Sequence, residues 1–483
     1  MKLRFLARWL AMAALFLSAA SAHAFMSGGI YYNVLSEEDR TVEVCCNLYT
    51  HYSGSIIIPE RVLDGGKTYT VTSIESGAFS GCSTLTSVTF PASLTSIGDY
   101  AFSGCSALTS VDFSSTSLTS IGDNAFSGCE ALTSVVFPAS LTSIGGGAFY
   151  YCVALTSVAF PASLTSIGGG AFSDCDALTS VAFPASLTSI GYDAFYHCEA
   201  LTSVDLSSTS LTYIGDGAFR DCDALTSVAF PASLTSIGGE AFRDCDALTS
   251  VDLSSTSLTS IGNYAFWECE ALTSVAFPAS LRSIGYYAFR DCDALTNLTV
   301  DEGNPAFTSR DNVLYSKDMD TLVCYPTGAN KEVVIPDMVC SVREGAFPGE
   351  VSTVYCHPQT PPTAVDGYFQ NMFSSDELMN AVLYVPVGTK AAYMKVDPWR
   401  NFWNIEEMDF ATVGIDGVAA QGVPSVTVRG GAIVVEGAAA TDVVEVFAAD
   451  GRCAYRGASA TISHLPGGIY VVRVGKHVQK VAL

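Results

Sequence analysis

The motif A-F-x-x-C occurs ten times in succession, with its phenylalanine at positions 79, 102, 126, 149, 172, 195, 219, 242, 266 and 289. The spacing is 23 or 24 residues throughout. A period of this length, held over so many units, marks a repeat architecture in which one supersecondary unit stacks on the next. The three 24-residue units are those in which "PASL" gives way to "SSTSL", at Ser114–Leu118, Ser207–Leu211 and Ser254–Leu258. One residue added at a corner is a loop insertion, and it leaves the register of the coil intact.

Within a unit the pattern reads L-x-x-V-x-F-P-x-S-L-x-x-I-G-x-x-A-F-x-x-C. In the unit of Phe172, the positions of Leu155, Val158 and Phe160 suit a short strand with one buried face. Leu164 and Ile167 form a second extended segment, which Gly168 ends. Ala171, Phe172 and Cys175 fit one turn of α-helix or 3₁₀-helix. Such a unit has a single apolar side and cannot bury it alone, whereas a stack of units can. The expected fold is a repeat solenoid of 23/24-residue coils with parallel strands. It winds right-handed, as crossovers between parallel strands do.

The L-x-x-V-x-F segment is close to the leucine-rich-repeat pattern. The fuller string, ending in I-G-x-x-A-F-x-x-C-x-x-L, resembles the BspA-like leucine-rich repeats of bacterial surface proteins over roughly residues 56 to 350. Beyond Leu298 the regularity decays, and the next Ala-Phe pairs end at Phe307 and Phe347. The stretch with N-P-x-F, V-L-Y and Y-P, and the segment Leu383–Met408, resemble the same family's usual continuation. Terminal coils need a polar outer face, which is a physical reason for that departure. "IYYNVL", "TVEVCCNL" and "SIIIP" read as strands that cap the other end.

The first residues read as an export signal. Lys2, Arg4 and Arg8 precede the apolar run Trp9–Ala20, and Ala22 and Ala24 offer a cleavage site ahead of Phe25. No later apolar run has the length of a membrane span. From Val413 on, Gly, Ala and Val dominate and several short alternating segments predict a small antiparallel β-sandwich, with a hairpin turn at Asp450-Gly451. Its ending resembles the C-terminal sorting domains of type IX secretion cargo, through Gly468, Tyr470, Val472, Lys480 and Val481. The expected division is a signal peptide at 1–24, an N-terminal β cap at 25–70 and regular repeats at 71–300. Degenerate repeats and a C-terminal cap follow at 301–411, and the sorting domain at 412–483.

Charge excludes some partners. With 23 Lys and Arg against 48 Asp and Glu, the net charge of −25 repels nucleic acid and anionic lipid. Ten of the 16 cysteines are the motif cysteines, Cys82 to Cys292. An exported chain invites disulfides. Stacked coils, however, would hold parallel Cβ vectors ~4.8 Å apart, beyond bonding reach. A ladder of buried thiols is expected instead. The redox state of Cys45, Cys46, Cys324, Cys340, Cys356 and Cys453 stays open. They contain no C-x-x-C pair, which speaks against zinc.

Nothing points to catalysis. The six histidines are scattered, and no nucleophile elbow, zinc-protease or phosphate-loop motif occurs. No cofactor or metal is expected. The unit-to-unit variation is more telling. After the motif phenylalanine come Tyr150, Tyr196, Arg220, Arg243, Trp267 and Arg290 among serines; after Ile-Gly come Tyr100, Tyr192, Tyr264, Tyr286 and Tyr287. Stacking should draw these into a stripe. Aromatic and Arg side chains are the residue types of binding hot spots. The candidate ligand-binding edge is Tyr150, Tyr151, Tyr196, Arg243, Trp267, Tyr286 and Arg290. The competing reading is solvent-facing drift with self-contacts such as Arg on Trp.

Two carboxylate rows flank the cysteines, Asp176, Glu199, Asp223, Asp246, Glu270 and Asp293 after them, and Asp221, Asp244, Glu268 and Asp291 before. Such rows need Arg partners, outward splay or counter-ions, and the spacing carries no calcium-loop signature. The resemblance implies a non-catalytic, adhesin-like protein of the bacterial outer surface or extracellular space. Its partner would be a host extracellular or cell-surface protein or another bacterial surface. Glycan capture by the aromatic edge and a purely structural surface role are the alternatives.

Overall fold

The structure, a computed structural model, describes residues 24–46, 51–326, 331–347, 350–365 and 373–410, with segments of the tail at 425–429, 432–436, 444–448, 452–457, 461–463, 465–466, 469–474 and 477–482. The chain divides into two compact units, Met1–Thr308 and Ser309–Leu483.

The first unit is the solenoid. We number its regular coils 1 to 10 after the ten motif phenylalanines, from Phe79 to Phe289. Coils 2 to 10 each contribute a two-residue strand just before the Ile-Gly glycine, such as Ser166–Ile167 in coil 5. These strands pair in parallel, residue for residue, as in Ser143↔Ser166 and Ile144↔Ile167. Together with the N-terminal strands they make a 14-stranded sheet. The S-V-x segment forms a second set, such as Ser157–Ala159, parallel to Ser180–Ala182. At the N-terminal end the sheet turns antiparallel. Ala24–Ser27, Ile30–Ser36 and Thr41–Cys45 form a meander, and Lys67–Ile74 joins that meander to the parallel run.

The core repeats with the coil. The ten motif phenylalanines stack in one column, with successive centroids 4.7–5.5 Å apart and planes within 3–8°. Motif Ala, Leu and Ile side chains close around that column. The motif cysteines are buried free thiols. From Cys105 to Cys292 each thiol donates to the carbonyl of the motif phenylalanine one coil back, at 3.1–3.3 Å. Cysteine therefore fills a small apolar site and also satisfies a buried acceptor. Burial pushes the Cys105 thiol up to about 12 and raises those of Cys129, Cys152 and Cys175.

The A-F-x-x-C segment is not the helical turn expected from its spacing. It is a pair of tight turns, because the residues two before and two after each motif phenylalanine have positive φ. Tyr100 and Gly104 have φ of 56° and 72° around Phe102, and Asp221 has 56° after Phe219. A left-handed residue on each side of the ring interrupts a right-handed helix before it can propagate. The N–H groups freed this way bond forward, Phe79 N to Ala101 O at 2.7 Å and Phe102 N to Ala125 O at 2.7 Å. Thr95 N and Gly98 N, on either side of the strand Ser96–Ile97, bond backward instead, to Thr72 O and Ile74 O at 2.8 and 2.9 Å.

The one-residue insertions have a partner that went unread in the sequence. Asp112, Asp205 and Asp252 stand two residues ahead of the three "SSTSL" corners, and each carboxylate accepts from the serine N–H two residues on, at 2.8–3.0 Å. Thr116, Thr209 and Thr256 close the other side by donating to the carbonyl three residues back. The corner is an Asx-turn, held by its own side chains rather than by a proline.

Asn304, fully buried, ends the regular run. Its Nδ2 donates to Pro278 O and Leu281 O at 2.9 and 3.0 Å, and its Oδ1 accepts from Ala306 N and Phe307 N at 2.8 Å. This is the asparagine of the N-P-x-F stretch.

In the second unit, Glu332–Ile335, Thr353–Cys356, Val382–Pro386 and Asn404–Met408 form a parallel four-stranded sheet. Its core holds Phe373, Tyr393 and Trp399. The Trp399 indole donates to Pro362 O and the Tyr393 hydroxyl to Pro358 O, at 2.7 and 2.6 Å. The tail forms two antiparallel sheets that share one core of Val426, Ile433, Val435, Val444, Val446, Ile462, Tyr470, Val472 and Val481. Val444–Ala448 and Cys453–Gly457 pair as antiparallel neighbours. Asp450 and Gly451 between them lie outside the described residues, as does the expected export signal up to His23.

Candidate functional site

The turn face of the coils carries the variable side chains. Two of its positions are conformationally expensive. An L-residue in the left-handed region costs roughly 1 kcal/mol, and only glycine, with asparagine and aspartate to a lesser degree, occupies it freely. Two residues past the motif phenylalanine, coils 1 to 3 use Gly81, Gly104 and Gly128. Coils 4 to 10 use Tyr151, Asp174, His197, Asp221, Asp244, Glu268 and Asp291, all with φ between 56 and 59° apart from His197 at 55° and Asp244 at 55°. The first three coils show that the fold itself asks only for glycine there.

From Tyr196 of coil 6 through coil 10, side chains of the turn face bind one another. Arg220 lies 4.4 Å from the Tyr196 ring centroid and pairs with Glu240 at 2.8 Å. Arg243 lies 4.2 Å from the Trp267 centroid and pairs with Asp244 at 3.0 Å. The Trp267 indole donates to Asp291 at 2.7 Å. Arg290 stacks 5.5 Å from Tyr287 rather than on Trp267, and its Nε is 3.6 Å from Asp291. Tyr264 packs against both Trp267 and Tyr287. Burial and the neighbouring carboxylates raise the carboxyls of Asp221 and Asp244. Asp246, exposed and with no Arg partner among the described residues, is raised by partial burial and by Glu270 and Asp223 beside it.

In coils 4 to 6 the turn face is more open. Tyr150 and Tyr151 are 42% and 44% exposed, with ring centroids 6.1 Å apart. Asp174 and partial burial raise the Tyr150 phenol. Tyr192 is 67% exposed and rests against Gly169, where a Cβ would lie 2.4 Å from a ring carbon. His197 sits among carboxylates, 3.2 Å from Glu199, 3.6 Å from Asp176 and 3.7 Å from Asp174.

Of the seven edge residues expected from the sequence, the structure places Tyr150 beside Tyr151 and Arg243 on Trp267. Tyr196 and Arg290 each sit in a different aromatic–Arg pair, with Arg220 and Tyr287. Tyr286 is half-buried, its N–H donating to Asn263 at 2.9 Å. Tyr192, Arg220 and Tyr287, left out of that set, belong to the same face. The recurrent offset from the motif phenylalanine was the signal for including them. In the tail, Tyr470 is opposite Val481, and Val472 is on the same strand. Lys480 opposes Val471. Gly468 lies outside the described residues.

Among the described residues no cluster of three or more His, Cys, Asp or Glu is arranged to hold a metal ion, and no helix is long and apolar enough to cross a membrane.

The family model that matches is the BspA type leucine rich repeat region, in six copies, over residues 67–175, 142–257 and 188–310. These spans run continuously through half of the chain. Among solved structures, a leucine rich repeat protein of T. pallidum shares 27% identity. It covers 46% of this chain and 90% of its own, with a TM-score of 0.34. A leucine rich cell surface protein of Faecalibacterium prausnitzii shares 21% over 81% of this chain and 96% of its own, with a TM-score of 0.39. The pneumococcal vaccine antigen PcpA shares 16% over 80% and 99%, with a TM-score of 0.45. A search of curated proteins finds no match.

Proposed function

Because the chain belongs to the BspA-type leucine-rich repeat family, we propose that it is a non-catalytic, adhesin-like protein displayed on the bacterial surface. It binds a macromolecule carried by a host or by another bacterium, and it does so along the turn face. One observation carries this reading. Coils 4 to 10 place large or charged side chains at the left-handed position two residues past the motif phenylalanine, which coils 1 to 3 fill with glycine. Strain retained where the fold does not require it tends to mark function.

The two ends of the face contribute differently. Tyr150 and Tyr151 offer rigid aromatic area to a partner, the chemistry of binding hot spots. Arg243, Trp267, Tyr286 and Arg290 are engaged with neighbours and give the face its shape and charge. The opposite faces carry Ser, Thr and Ala, such as Ser157 and Ala159, which offer little area to bury.

The N-terminal segment directs export, and the tail directs display through a type IX route. Latex beads coated with the purified protein test the binding. They adhere to host cells or to partner bacteria, and Tyr150→Ala with Tyr151→Ala lowers adhesion at least tenfold. Beads that fail to adhere to either, or adhesion untouched by this pair, would overturn the reading.

A further inference from the structure

Each coil has one backbone N–H, three residues before the motif phenylalanine, that points back along the stack. In four coils an oxygen from the preceding coil receives it. Asp99 accepts from Asp123 N at 2.8 Å, Asp123 from Gly146 N at 2.7 Å, Asp216 from Gly239 N at 2.9 Å and Asn263 from Tyr286 N at 2.9 Å. In coils 4, 5 and 6 the residue at that position is Gly146, Gly169 or Tyr192, and none supplies an acceptor. The N–H groups of Gly169, Tyr192 and Asp216 accordingly have no protein acceptor among the described residues. They form three consecutive donors, one per coil, with the ~4.8 Å rise of paired strands. Asp99, behind Ser76, and Asn263, behind Gly239, repeat the situation singly, and Tyr264 beside Asn263 is packed on Trp267 and Tyr287.

The same three coils hold the exposed tyrosines. Tyr192 lies against Gly169, and a side chain there would displace the ring. Coil 5 is low, with Gly168, Gly169 and Gly170 followed by buried Ser173, between the tyrosines of coil 4 and those of coil 6. On coil 7, Tyr213 is 42% exposed and donates to Asp216 at 2.7 Å.

The chemistry of a ligand follows from what is on offer. The carbonyls of Gly169, Tyr192 and Asp216 are already taken, by Gly147 N, Gly170 N and Asp193 N. A peptide strand needs donors and acceptors in alternation, so these donors alone do not template one. An anion meets Asp174 and Asp193 nearby and a chain of net charge −25. A neutral molecule with several oxygens on a ring that also has an apolar face fits both features. We propose that coils 4 to 7 hold a neutral saccharide. Its oxygens accept from the N–H groups of Gly169, Tyr192 and Asp216, in the place that Asx oxygens take in the flanking coils, and its C–H face stacks on Tyr192. This proposal rests on the surface-binding reading and names the ligand class for it.

An array of neutral and acidic oligosaccharides probed with the purified protein tests it, followed by titration of the best neutral ligand. Two variants remove the site in different ways. Tyr192→Ala removes the stacking ring. Gly146→Asp installs the oxygen that Asp99 and Asp123 supply in the coils before; a Cβ at Gly146 meets nothing closer than 3.2 Å. Both are expected to bind at least tenfold more weakly with unchanged melting. No bound glycan, a preference for acidic ones, or full affinity in Gly146→Asp would overturn the proposal. The broader reading fails separately. Beads that adhere to cells whose glycans have been oxidised with periodate, and lose adhesion in Tyr150→Ala with Tyr151→Ala, would sink the saccharide and keep the adhesin. Beads that adhere to nothing would sink the adhesin.

Discussion

The guanidinium of Arg243 lies 4.2 Å from the centre of the Trp267 ring, one coil further on, while the indole N–H of Trp267 reaches Asp291 one coil beyond that. Three coils are thereby tied together outside the core. Arg243→Ala is expected to cost about 1 kcal/mol. In a double-mutant cycle with Trp267→Ala, chemical denaturation should return a coupling of similar size. A coupling near zero would make the stack a bystander.

Asp246 gives a pH dependence with a definite sign. Its carboxyl is raised above the ordinary value of 3.8 in the folded protein, by burial and by Glu270, Asp223 and Asp244. The folded state therefore holds that proton more tightly than the unfolded chain does. The contribution to stability is fully present below about pH 4 and is lost as pH rises through the folded value. Asp246→Asn is expected to raise the melting temperature at pH 7 and leave it unchanged near pH 3. Asp112, Asp205 and Asp252 have lowered carboxyls, through their serine partners, and act in the opposite sense. Their stabilisation is lost as pH falls through the folded value.

The thiol ladder predicts a stoichiometry. Of the 16 cysteines, Cys46, Cys340 and Cys453 are exposed, and the others are buried. An alkylating reagent at neutral pH should label those three in the native protein and all 16 in denaturant, as read by mass spectrometry of intact chains. Rapid native labelling at Cys175 or Cys198 would mean that the column opens locally.

Asn304 predicts where the solenoid frays. Replacing it by Ala strips partners from Pro278 O, Leu281 O, Ala306 N and Phe307 N, at a cost of roughly 2–4 kcal/mol. Hydrogen exchange should accelerate in coil 10 and remain slow in coils 2 to 6. Uniform acceleration across all coils would contradict a stack coupled only through nearest neighbours.

The tail predicts a location rather than an affinity. Without residues 412–483 the purified protein should bind as before, while in its native host the chain should stay in the periplasm. Fractionation that finds it on the cell surface would refute the type IX reading.

The period, the strands and the phenylalanine and cysteine columns were legible because each is an apolar letter at a fixed offset. Backbone handedness at the turns was not. Glu240 and Tyr264 are residues that a helix accepts, and nothing local marks them as left-handed. Their equivalence to Gly77 and Gly147 appears only when the units are aligned on the phenylalanine. The Asx corners were missed because Asp112, Asp205 and Asp252 precede the insertion they explain. The edge was legible as a set of residue types. Which of them were committed to each other depended on distances across coils, as with Arg290 on Tyr287 in place of Trp267.

The opposed directions of the backbone bonds decide how long such a protein can grow. At the turns N–H groups donate to the following coil, whereas those flanking the two-residue strands, such as Thr95 and Gly98, donate to the preceding one, so these rows of peptide dipoles oppose one another. An α-helix accumulates charge at its ends as its dipoles align. Here an added coil lengthens both rows at once, so their fields partly cancel at the tips. Solenoid length is thus a quantity that duplication of a single 23-residue unit can adjust, with little new electrostatic demand on either cap.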